Sequence, residues 1–281
     1  MIRWIDEVYD SNRRFGLRGQ TLFAMQSQYQ HIEIVETEAH GRGLLLDGMW
    51  MTVEADEKVY HEMLVHPALT TAPSIENVLV IGGGDGGTIR EVLRYKDVKR
   101  VVLAEIDGDV VEVSRRFLPN IGTAWDDPRL EVCVCDGTAF VANAAPGSWD
   151  VILVDGSDPI GPAKALFEDA FFAACARVLA GRGVLSVQGG SPTAQYDEHI
   201  STIQVMKNHF SQVAPMYAPI GIYPGGAWSF VWGTSSDSSI EQPLLDRIQH
   251  VESDTYWYNH SVHLGALAQP NHVRRVVGLH R

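Results

Sequence analysis

The stretch Asn77-Val78-Leu79-Val80-Ile81-Gly82-Gly83-Gly84-Asp85-Gly86-Gly87 decides the fold class of this 281-residue chain. Its first half is a short, almost continuous apolar run, which is typical of a strand covered on both faces of a sheet. Its second half contains five glycines in six residues, and glycines at a strand-to-helix turn let the backbone approach a ligand closely. The stretch therefore predicts the first βα unit of a Rossmann-like sheet.

The same alternation of apolar runs and helix-like stretches continues along the chain. It predicts parallel strands at Asn77–Ile81, Arg100–Glu105, Leu130–Cys135, Asp150–Asp155 and Gly183–Gln188. The predicted helices are Gly87–Tyr95, Asp109–Phe117, Phe167–Leu179 and Ala194–His209. Repeated βα units of this kind indicate a parallel, doubly wound α/β sheet.

Two further strands are predicted near Val213–Ala218 and Trp228–Gly233. The Gly/Pro-rich segment between them is too short for a crossover helix, so the last strand is expected to run antiparallel. Five parallel strands, a sixth strand and a terminal hairpin describe the methyltransferase-type variant of the Rossmann-like sheet.

The first seventy residues have a different pattern, with short strands expected at Gln20–Met25, Tyr29–Glu36, Gly43–Leu46 and Met49–Val53. Asp47-Gly48 between the last two is a strong signal for a tight hairpin, because glycine accepts a positive φ without steric cost. We therefore predict a small N-terminal antiparallel β domain over residues 1–70, with a helix from about Asp56 to Ala68. Residues 71–281 form the Rossmann-like catalytic domain in this prediction.

The charge balance limits the possible partners. The chain has 22 Lys and Arg against 35 Asp and Glu, a formal net charge of −13. Nucleic acids and anionic membranes need clustered cations, so neither is expected as a partner, whereas a cationic small molecule suits this charge. No apolar stretch is long enough for a transmembrane helix, and acidic residues near the N-terminus do not suit a signal peptide. We expect a cytoplasmic protein.

Metal binding is not predicted. Cys133 and Cys135 flank one residue on a strand, where both would face the same way. Structural zinc sites usually need a CxxC-type pair with further Cys or His ligands, and none follows here. His260 and His263 lack a third ligand, so we interpret these histidines and cysteines as structural.

Acidic residues at successive strand ends predict a nucleoside site. Glu105 ends the second strand about twenty residues after the glycine-rich loop, where an acid usually accepts hydrogen bonds from ribose hydroxyls. Asp136-Gly137 follows the third strand, where an acid commonly holds an adenine amino group. A turn with two solvated loop acids is the alternative interpretation.

Asp85 in the glycine-rich loop indicates which kind of adenosine ligand is bound. Its carboxylate would repel a pyrophosphate, and the loop has no P-loop Lys or Ser/Thr. It would also repel the carboxylate of intact S-adenosylmethionine and would attract an ammonium group in its place. The residues therefore favour decarboxylated S-adenosylmethionine as the ligand.

A second acidic cluster follows the fourth strand, in Asp155-Gly156-Ser157-Asp158-Pro159-Ile160-Gly161-Pro162. Its two carboxylates lie on a loop at the carboxyl edge of the sheet, which faces the ligand crevice. Asx-type turn chemistry before a proline is the alternative interpretation.

Together these motifs resemble those of the polyamine aminopropyltransferases, the spermidine synthase family. The matching segments follow one another in order along almost the whole chain and include Ser27–Gln30, Leu46–Gly48, Asp56-Glu57, Tyr60–Met63, Gly82–Gly87, Glu105–Asp107, Asp136-Gly137, Asp155–Pro162 with Leu166-Phe167, Tyr223-Pro224 with Gly226, and Tyr258-Asn259 with His263. Plain methyltransferases lack both Asp85 and the Asp155–Pro162 loop, so the set is specific.

The resemblance implies transfer of an aminopropyl group from decarboxylated S-adenosylmethionine, used as a co-substrate, to a diamine or polyamine. Putrescine is the expected acceptor, and spermidine and 5′-methylthioadenosine are the expected products. By resemblance, Asp155 and Tyr60 are catalytic, and the donor is bound by Gln30, Asp85, Glu105, Asp136 and Gly137. The acceptor positions match His61, Asp158, Gln188 and Tyr223. Asp155–Phe167 resembles a flexible loop that closes over both substrates, and the family implies a homodimer or homotetramer.

The chemistry fits these residue types. A sulfonium makes the aminopropyl carbon electrophilic, and the thioether leaves as a neutral group. The acceptor amine has a pKa near that of Lys, about 10.4, so most of it is protonated at neutral pH. Asp155 as general base with Tyr60 orienting the amine would supply the nucleophile, and Asp158 would hold the distal ammonium.

Three departures from the family pattern leave the acceptor open among putrescine, cadaverine, agmatine and longer polyamines. Met51 stands where relatives usually carry glutamine, Gly221 and Ile222 replace a Pro-Thr pair, and Lys58-Val59 replaces a common aromatic residue. Two other functions remain as alternatives: an S-adenosylmethionine-dependent amine methyltransferase and a non-catalytic polyamine-binding protein on the same fold.

Overall fold

The chain folds into two β-sheets with a buried helix between them, in a computed structural model that describes residues 1–159, 161–179 and 181–277. Ile160, part of the acidic loop discussed above, lies outside the described residues, as do residues 180 and 278–281. None of the described helices is long and apolar enough to cross a membrane.

The N-terminal sheet has five antiparallel strands in sequence order: β1 (Arg3–Val8), β2 (Arg14–Gln26), β3 (His31–Thr37), β4 (Gly41–Leu46) and β5 (Met49–Val53). Asp47 and Gly48 both have positive φ, 50° and 80°, as expected for the tight hairpin between β4 and β5. β1 was not predicted. Only Ile5 is fully buried in this edge strand, so its sequence lacks the alternation that marks a half-buried strand.

The large sheet has seven strands in the order β11-β12-β10-β9-β6-β7-β8. They are β6 (Asn77–Gly82), β7 (Arg100–Glu105), β8 (Leu130–Val134), β9 (Val151–Asp155), β10 (Val184–Gln188), β11 (Gln212–Pro219) and β12 (Ala227–Thr234). β6 to β10 are parallel, and β12 is antiparallel to both β10 and β11. The predicted methyltransferase-type arrangement is therefore confirmed.

The α-helices of the described chain are α1 (Glu57–Thr71), α2 (Gly87–Leu93), α3 (Gly108–Phe117), α4 (Gly137–Asn143), α5 (Asp169–Leu179), α6 (Tyr196–Lys207), α7 (Leu245–Val251), α8 (His260–Ala266) and α9 (Asn271–Val277), and a 3₁₀-helix covers Gly161–Phe167. α4, α7, α8 and α9 were not predicted, because each has seven residues and none follows a signal such as the glycine-rich loop before α2. The start of α4 is fixed by Asp136, whose carboxylate accepts from the backbone N–H of Thr138.

Helix α1 is the element that positions the site. Every residue of α1 except Lys58 is buried, and the helix packs against α2, β9 and β10 of the large sheet. Its buried acid Glu62 accepts hydrogen bonds from the backbone N–H groups of Tyr256, Trp257 and Tyr258. The helix is thus held on both sides, so residues on its first turns have fixed positions. The division of the chain at residue 70 stays a prediction.

Candidate active site

One cavity of about 180 Å³ lies at the carboxyl ends of the parallel strands and beneath the N-terminal sheet. In open α/β sheets ligands bind where the strand order reverses, which here is between β6 and β9. All eleven residues proposed from the sequence line this cavity: Gln30, Tyr60, His61, Asp85, Glu105, Asp136, Gly137, Asp155, Asp158, Gln188 and Tyr223. The structure thus brings them together, while their individual roles toward substrates stay predictions.

Asp155 lies at the centre of the cavity with both carboxylate oxygens hydrogen-bonded. The hydroxyl of Tyr60 donates to Oδ1 at 2.7 Å, and the hydroxyl of Thr88 donates to Oδ2 at 2.6 Å. Burial raises the pKa of Asp155, and repulsion from Asp85 adds to this, while His61 and the two hydroxyl donors oppose it. Asp155 can therefore serve as a proton acceptor, and the two hydroxyl groups hold its carboxylate in one orientation.

The glycine-rich loop leaves room for this carboxylate. Gly83 has a φ of 78°, and a Cβ at this position would lie 2.7 Å from Oδ2 of Asp155. Gly87, at the start of α2, packs directly on the imidazole of His61, where a Cβ would overlap the ring. The loop therefore needs glycine for close packing against two site residues as well as for its backbone conformation.

Asp85 is paired inside the protein before any ligand binds. Its Oδ1 accepts from the backbone N–H of Gly87 at 2.9 Å, and its Oδ2 lies 3.4 Å from Nε2 of His61. Nδ1 of His61 lies 2.7 Å from Oε2 of Glu57. Although burial opposes the charged forms, this pairing holds the pKa of Asp85 below its ordinary value and that of His61 well above.

The other end of the cavity contains the acids expected to hold adenosine. Glu105 is buried, its Oε1 accepts from the backbone N–H of Asp107 at 2.9 Å, and burial raises its pKa to about 7. Oδ1 of Asp136 accepts from the N–H and hydroxyl of Thr138, and these bonds hold the pKa of Asp136 below its ordinary value. Oδ2 of Asp136 is the oxygen left for a ligand amino group in the described structure.

Gln30 joins the two sheets at this end. Its side-chain amide donates to Oδ2 of Asp107 at 2.9 Å, and the hydroxyl of Ser27 donates to the same oxygen at 2.7 Å. The loop between β2 and β3 is thereby fixed against the end of β7. Within the described residues, Oε1 of Gln30 makes no hydrogen bond.

The opposite end of the cavity is acidic and aromatic. Oδ2 of Asp158 accepts from Gln195 at 2.6 Å, and burial raises the pKa of Asp158. The hydroxyl of Tyr223 donates to the carbonyl of Met51 at 2.6 Å, and its ring meets that of Tyr60 edge-on at 5.7 Å. Gln188 is held by the backbone N–H of Gly190 and the carbonyl of Ser157.

Three functional residues were missed from the sequence. Thr88 hydrogen-bonds Asp155 but carries no motif beyond its place after the glycines. Glu7 of β1 also lines the cavity, and burial raises its pKa to about 7, with the nearby Asp158 adding to the shift. Arg90 contacts Glu57 from behind the cavity. All three follow from tertiary packing rather than from a local pattern.

The departures noted in the sequence differ in position. Met51 lines the cavity. Ile222 is buried outside it, where its N–H donates to Asp56 and its carbonyl accepts from Tyr9. Of the departures from the family pattern, Met51 is therefore the one whose side chain forms part of the cavity wall.

Within the described residues, His61, Asp85 and Asp155 form the one group of His, Cys, Asp and Glu side chains close enough to consider for a metal ion, with one atom of each within 4.8 Å of the others. Both imidazole nitrogens of His61 face carboxylate oxygens, so they serve as N–H donors and leave no lone pair for a metal.

Comparison with known proteins agrees with this geometry. A family model described as the spermine/spermidine synthase domain matches residues 57–242, and one described as the spermidine synthase tetramerisation domain matches residues 3–54. A polyamine aminopropyltransferase of Prochlorococcus marinus strain MIT 9313 is 48% identical over 245 residues, which cover 87% of this chain and 85% of that protein. The corresponding enzyme of strain MIT 9301 is 43% identical over 257 residues, 91% and 90% of the two chains.

Solved structures match over the whole fold. Spermidine synthase in complex with the transition-state analogue AdoDATO superposes with a TM-score of 0.95 at 32% identity, covering 99% of this chain and 96% of the other. Spermidine synthase from Thermotoga maritima gives a TM-score of 0.93 at 32% identity, covering 99% and 95%. The chain is therefore an enzyme of the spermidine synthase family, the polyamine aminopropyltransferases.

Proposed function

We propose that this enzyme transfers the aminopropyl group of decarboxylated S-adenosylmethionine to putrescine, giving spermidine and 5′-methylthioadenosine. The observation that carries the proposal is the position of Asp155, which is half-buried in the cavity, hydrogen-bonded by Tyr60 and close to Asp85. A pair of carboxylates at this point suits two cationic reactants that must meet. The resemblance to a spermidine synthase bound to a transition-state analogue supports the same reaction.

The donor is expected to lie with its adenosine at the end of the cavity formed by Glu105, Asp136 and Gly137. Glu105 accepts from the ribose hydroxyls and Asp136 from the adenine amino group, with Gln30 closing over them. The aminopropyl chain then reaches the glycine-rich loop, where its ammonium binds Asp85. A carboxylate in that position, as in intact S-adenosylmethionine, would be repelled.

The acceptor is expected to lie between Asp158 and Asp155. Asp158, together with Gln188 and Glu7, binds the distal ammonium, and the aromatic rings of Tyr60 and Tyr223 border the carbon chain. Asp155 takes one proton from the near ammonium, and the freed nitrogen attacks the carbon next to the sulfonium. The C–S bond breaks, its electron pair stays on sulfur as a neutral thioether, and the product is a secondary ammonium.

Placement contributes as much as proton transfer. Holding the nitrogen, carbon and sulfur in line turns a bimolecular step into a unimolecular one. Asp155 is fixed from both sides by Tyr60 and Thr88, so the amine that binds it is also directed. His61 contacts Asp85 and thereby takes part in the site of the aminopropyl ammonium.

We also propose that the chain assembles through its N-terminal sheet as a dimer or tetramer. Trp4 is 62% exposed and Val8 69% exposed on β1, and the sheet matches a domain described as one for tetramerisation. Light scattering of the intact chain and of Trp4→Glu would test this. A monomeric wild-type chain would contradict it.

The proposed reaction is tested by offering the purified enzyme the decarboxylated donor with competing putrescine, cadaverine, agmatine and spermidine. We expect 5′-methylthioadenosine release, with most of the aminopropyl group on putrescine. Intact S-adenosylmethionine should give no transfer. A methylated amine would favour the methyltransferase alternative, and binding of amines without any product would favour the non-catalytic one.

A further inference from the structure

A row of four buried side chains with alternating charge runs from behind the cavity to its centre. The guanidinium of Arg90 binds both oxygens of Glu57, Nη1 to Oε1 at 3.0 Å and Nη2 to Oε2 at 2.8 Å. Glu57 accepts from Nδ1 of His61 at 2.7 Å, and Nε2 of His61 faces Asp85 at 3.4 Å. Glu57 and His61 are only 3% and 2% exposed, so water screens neither pair.

The contacts of His61 favour its protonated form. A neutral imidazole carries one N–H and one acceptor nitrogen. Here both nitrogens face carboxylate oxygens, and an ionised carboxylate cannot donate a hydrogen bond. In a neutral ring, the lone pair of one nitrogen would therefore point at a negatively charged oxygen and be repelled. The imidazolium satisfies both sides. Burial opposes this charge, but Asp85 and Glu57 outweigh it and hold the pKa of His61 well above its ordinary value.

Asp155 needs such a cation. The ionisable side chains that line the cavity with it include Tyr60 on α1, Asp85 on the glycine-rich loop, Glu105 on β7, Asp158 beyond β9 and Tyr223 before β12, while Glu57 and Arg90 lie behind His61. Of these, the carboxylates disfavour a second negative charge. His61 is the cation that approaches Asp155 most directly, with ligand atoms within 4.8 Å.

We propose that Arg90 and Glu57 act as positioning residues: they hold His61 as an imidazolium, and this cation keeps the carboxylates of Asp85 and Asp155 ionised. Asp155 is thereby ready to accept a proton before the substrates arrive. Arg90 and Glu57 do not touch the reacting atoms and act entirely through His61. The kinetic consequence rests on the reaction proposed above, whereas the charge state of His61 does not.

The charge state is measured directly in the wild-type protein. Nitrogen NMR of the empty enzyme labelled with ¹⁵N-histidine distinguishes an imidazolium from either neutral tautomer, and the spectrum of His61→Gln assigns the signal. We expect His61 to remain an imidazolium at pH 8, where an ordinary histidine with a pKa of about 6.5 is neutral. A neutral His61 at that pH would overturn the proposal, whether or not any variant folds.

The positioning role is measured by the pH dependence of kcat/KM, which reports the ionisation of the free enzyme. In Glu57→Gln, we expect the pKa of Asp155 to rise, so the acidic limb of the profile, where kcat/KM falls at low pH, moves to higher pH. The expected shift is about one to three units, the usual effect of one nearby charge on the pKa of a carboxyl. Rescue of the limb at its original position by Glu57→Asp, if the shorter side chain still reaches His61, would add support.

Glu91→Gln is the matched control. Glu91 is as buried as Glu57 and binds the same guanidinium through Nε of Arg90 at 2.7 Å, but its other partners are His66 and Arg94 rather than His61. General loss of stability should therefore appear in both variants, and the shifted limb only in Glu57→Gln. Equal profiles in the two variants would overturn the positioning role. An inactive wild-type enzyme would instead count against the proposed function, with the NMR result unaffected.

Discussion

The hydroxyl of Tyr60 donates a 2.7 Å hydrogen bond to Oδ1 of Asp155 across the junction between the buried helix α1 and the strand β9. Ninety-five residues separate the two side chains in sequence. Because Tyr60 is buried on α1, Asp155 is the last residue of β9, and α1 is held on its other face by Glu62, the distance between them does not depend on a flexible loop. The proposed base is thus fixed by the core of the fold.

Asp155→Asn tests the proposed base. The amide keeps the shape of the carboxyl and can still accept from Tyr60, but it cannot take a proton from the amine. We expect turnover to fall by about 10²–10⁴-fold, the usual range for the loss of a general base, with donor affinity changed much less. Steady-state kinetics and thermal melts check this. Retention of most of the turnover would place the base elsewhere, with Tyr60 or a bound water next in line.

Asp158→Asn is the comparison for that variant. Asp158 lies at the far end of the acceptor region and binds Gln195, so we expect it to anchor the distal ammonium. Its loss should raise the KM for the amine by about tenfold, the equivalent of a charge-assisted hydrogen bond of about 1.5 kcal/mol. The maximal turnover should change less than in Asp155→Asn. A lowered kcat with unchanged KM would be the opposite pattern and would contradict the assignment.

Thr88→Val removes one of the two hydroxyl donors to Asp155 without changing the size of the side chain. The hydrogen bond from Thr88 stabilises the ionised carboxylate, so its loss should raise the pKa of Asp155. The acidic limb of the pH–rate profile should therefore move to higher pH, and Thr88→Ser should restore it. A limb that stays in place in the valine variant would mean that Asp155 does not control this part of the profile.

Asp85→Asn tests donor selectivity. The wild-type enzyme should bind the decarboxylated donor much more tightly than intact S-adenosylmethionine, because the Asp85 carboxylate attracts an ammonium and repels a carboxylate. The asparagine variant should narrow this difference. Asp136→Asn, at the adenine end, should weaken both donors equally. Calorimetry of the two variants would contradict the assignment if Asp136→Asn, and not Asp85→Asn, changed the ratio.

Glu105 makes donor binding dependent on pH. Burial raises its pKa from an ordinary 4.5 to about 7 in the empty protein, so this group lowers the free energy of unfolding as the pH rises from about 4.5 to about 7, with no further loss above that range. Ribose hydroxyls would donate to the ionised carboxylate and favour it. Affinity for 5′-methylthioadenosine should therefore rise by about tenfold from pH 6 to pH 8, following the ionised fraction. Glu105→Gln should give a flat profile in the same titration, and a flat wild-type profile would contradict this role.

The sequence was sufficient for the large sheet because its strands are buried on both faces and give continuous apolar runs. It was also sufficient to predict that Asp85, Glu105, Asp136 and Asp155 lie close together, since each lies at or just after the end of a parallel strand and such ends meet at one edge. It did not predict the short helices α4, α7, α8 and α9, or β1, where only Ile5 is buried.

The rest of the site depends on tertiary contacts that have no local signal. Thr88 reaches Asp155 only because β6 and β9 are neighbours in the sheet. Glu7 enters the cavity only because the N-terminal sheet covers it. Arg90 lies on α2, whereas Glu57 and His61 lie four residues apart on α1. In sequence, that spacing is the same as for charged residues on an exposed helix surface, so it does not reveal the buried row.

The most direct test of the central claim follows the aminopropyl group itself. The enzyme is incubated with putrescine and decarboxylated S-adenosylmethionine carrying ¹³C in all carbons of the aminopropyl chain, and the products are resolved by mass spectrometry. We predict that the entire label appears in spermidine and that the released 5′-methylthioadenosine is unlabelled. Label retained on the adenosine thioether, together with a methylated amine, would contradict the account.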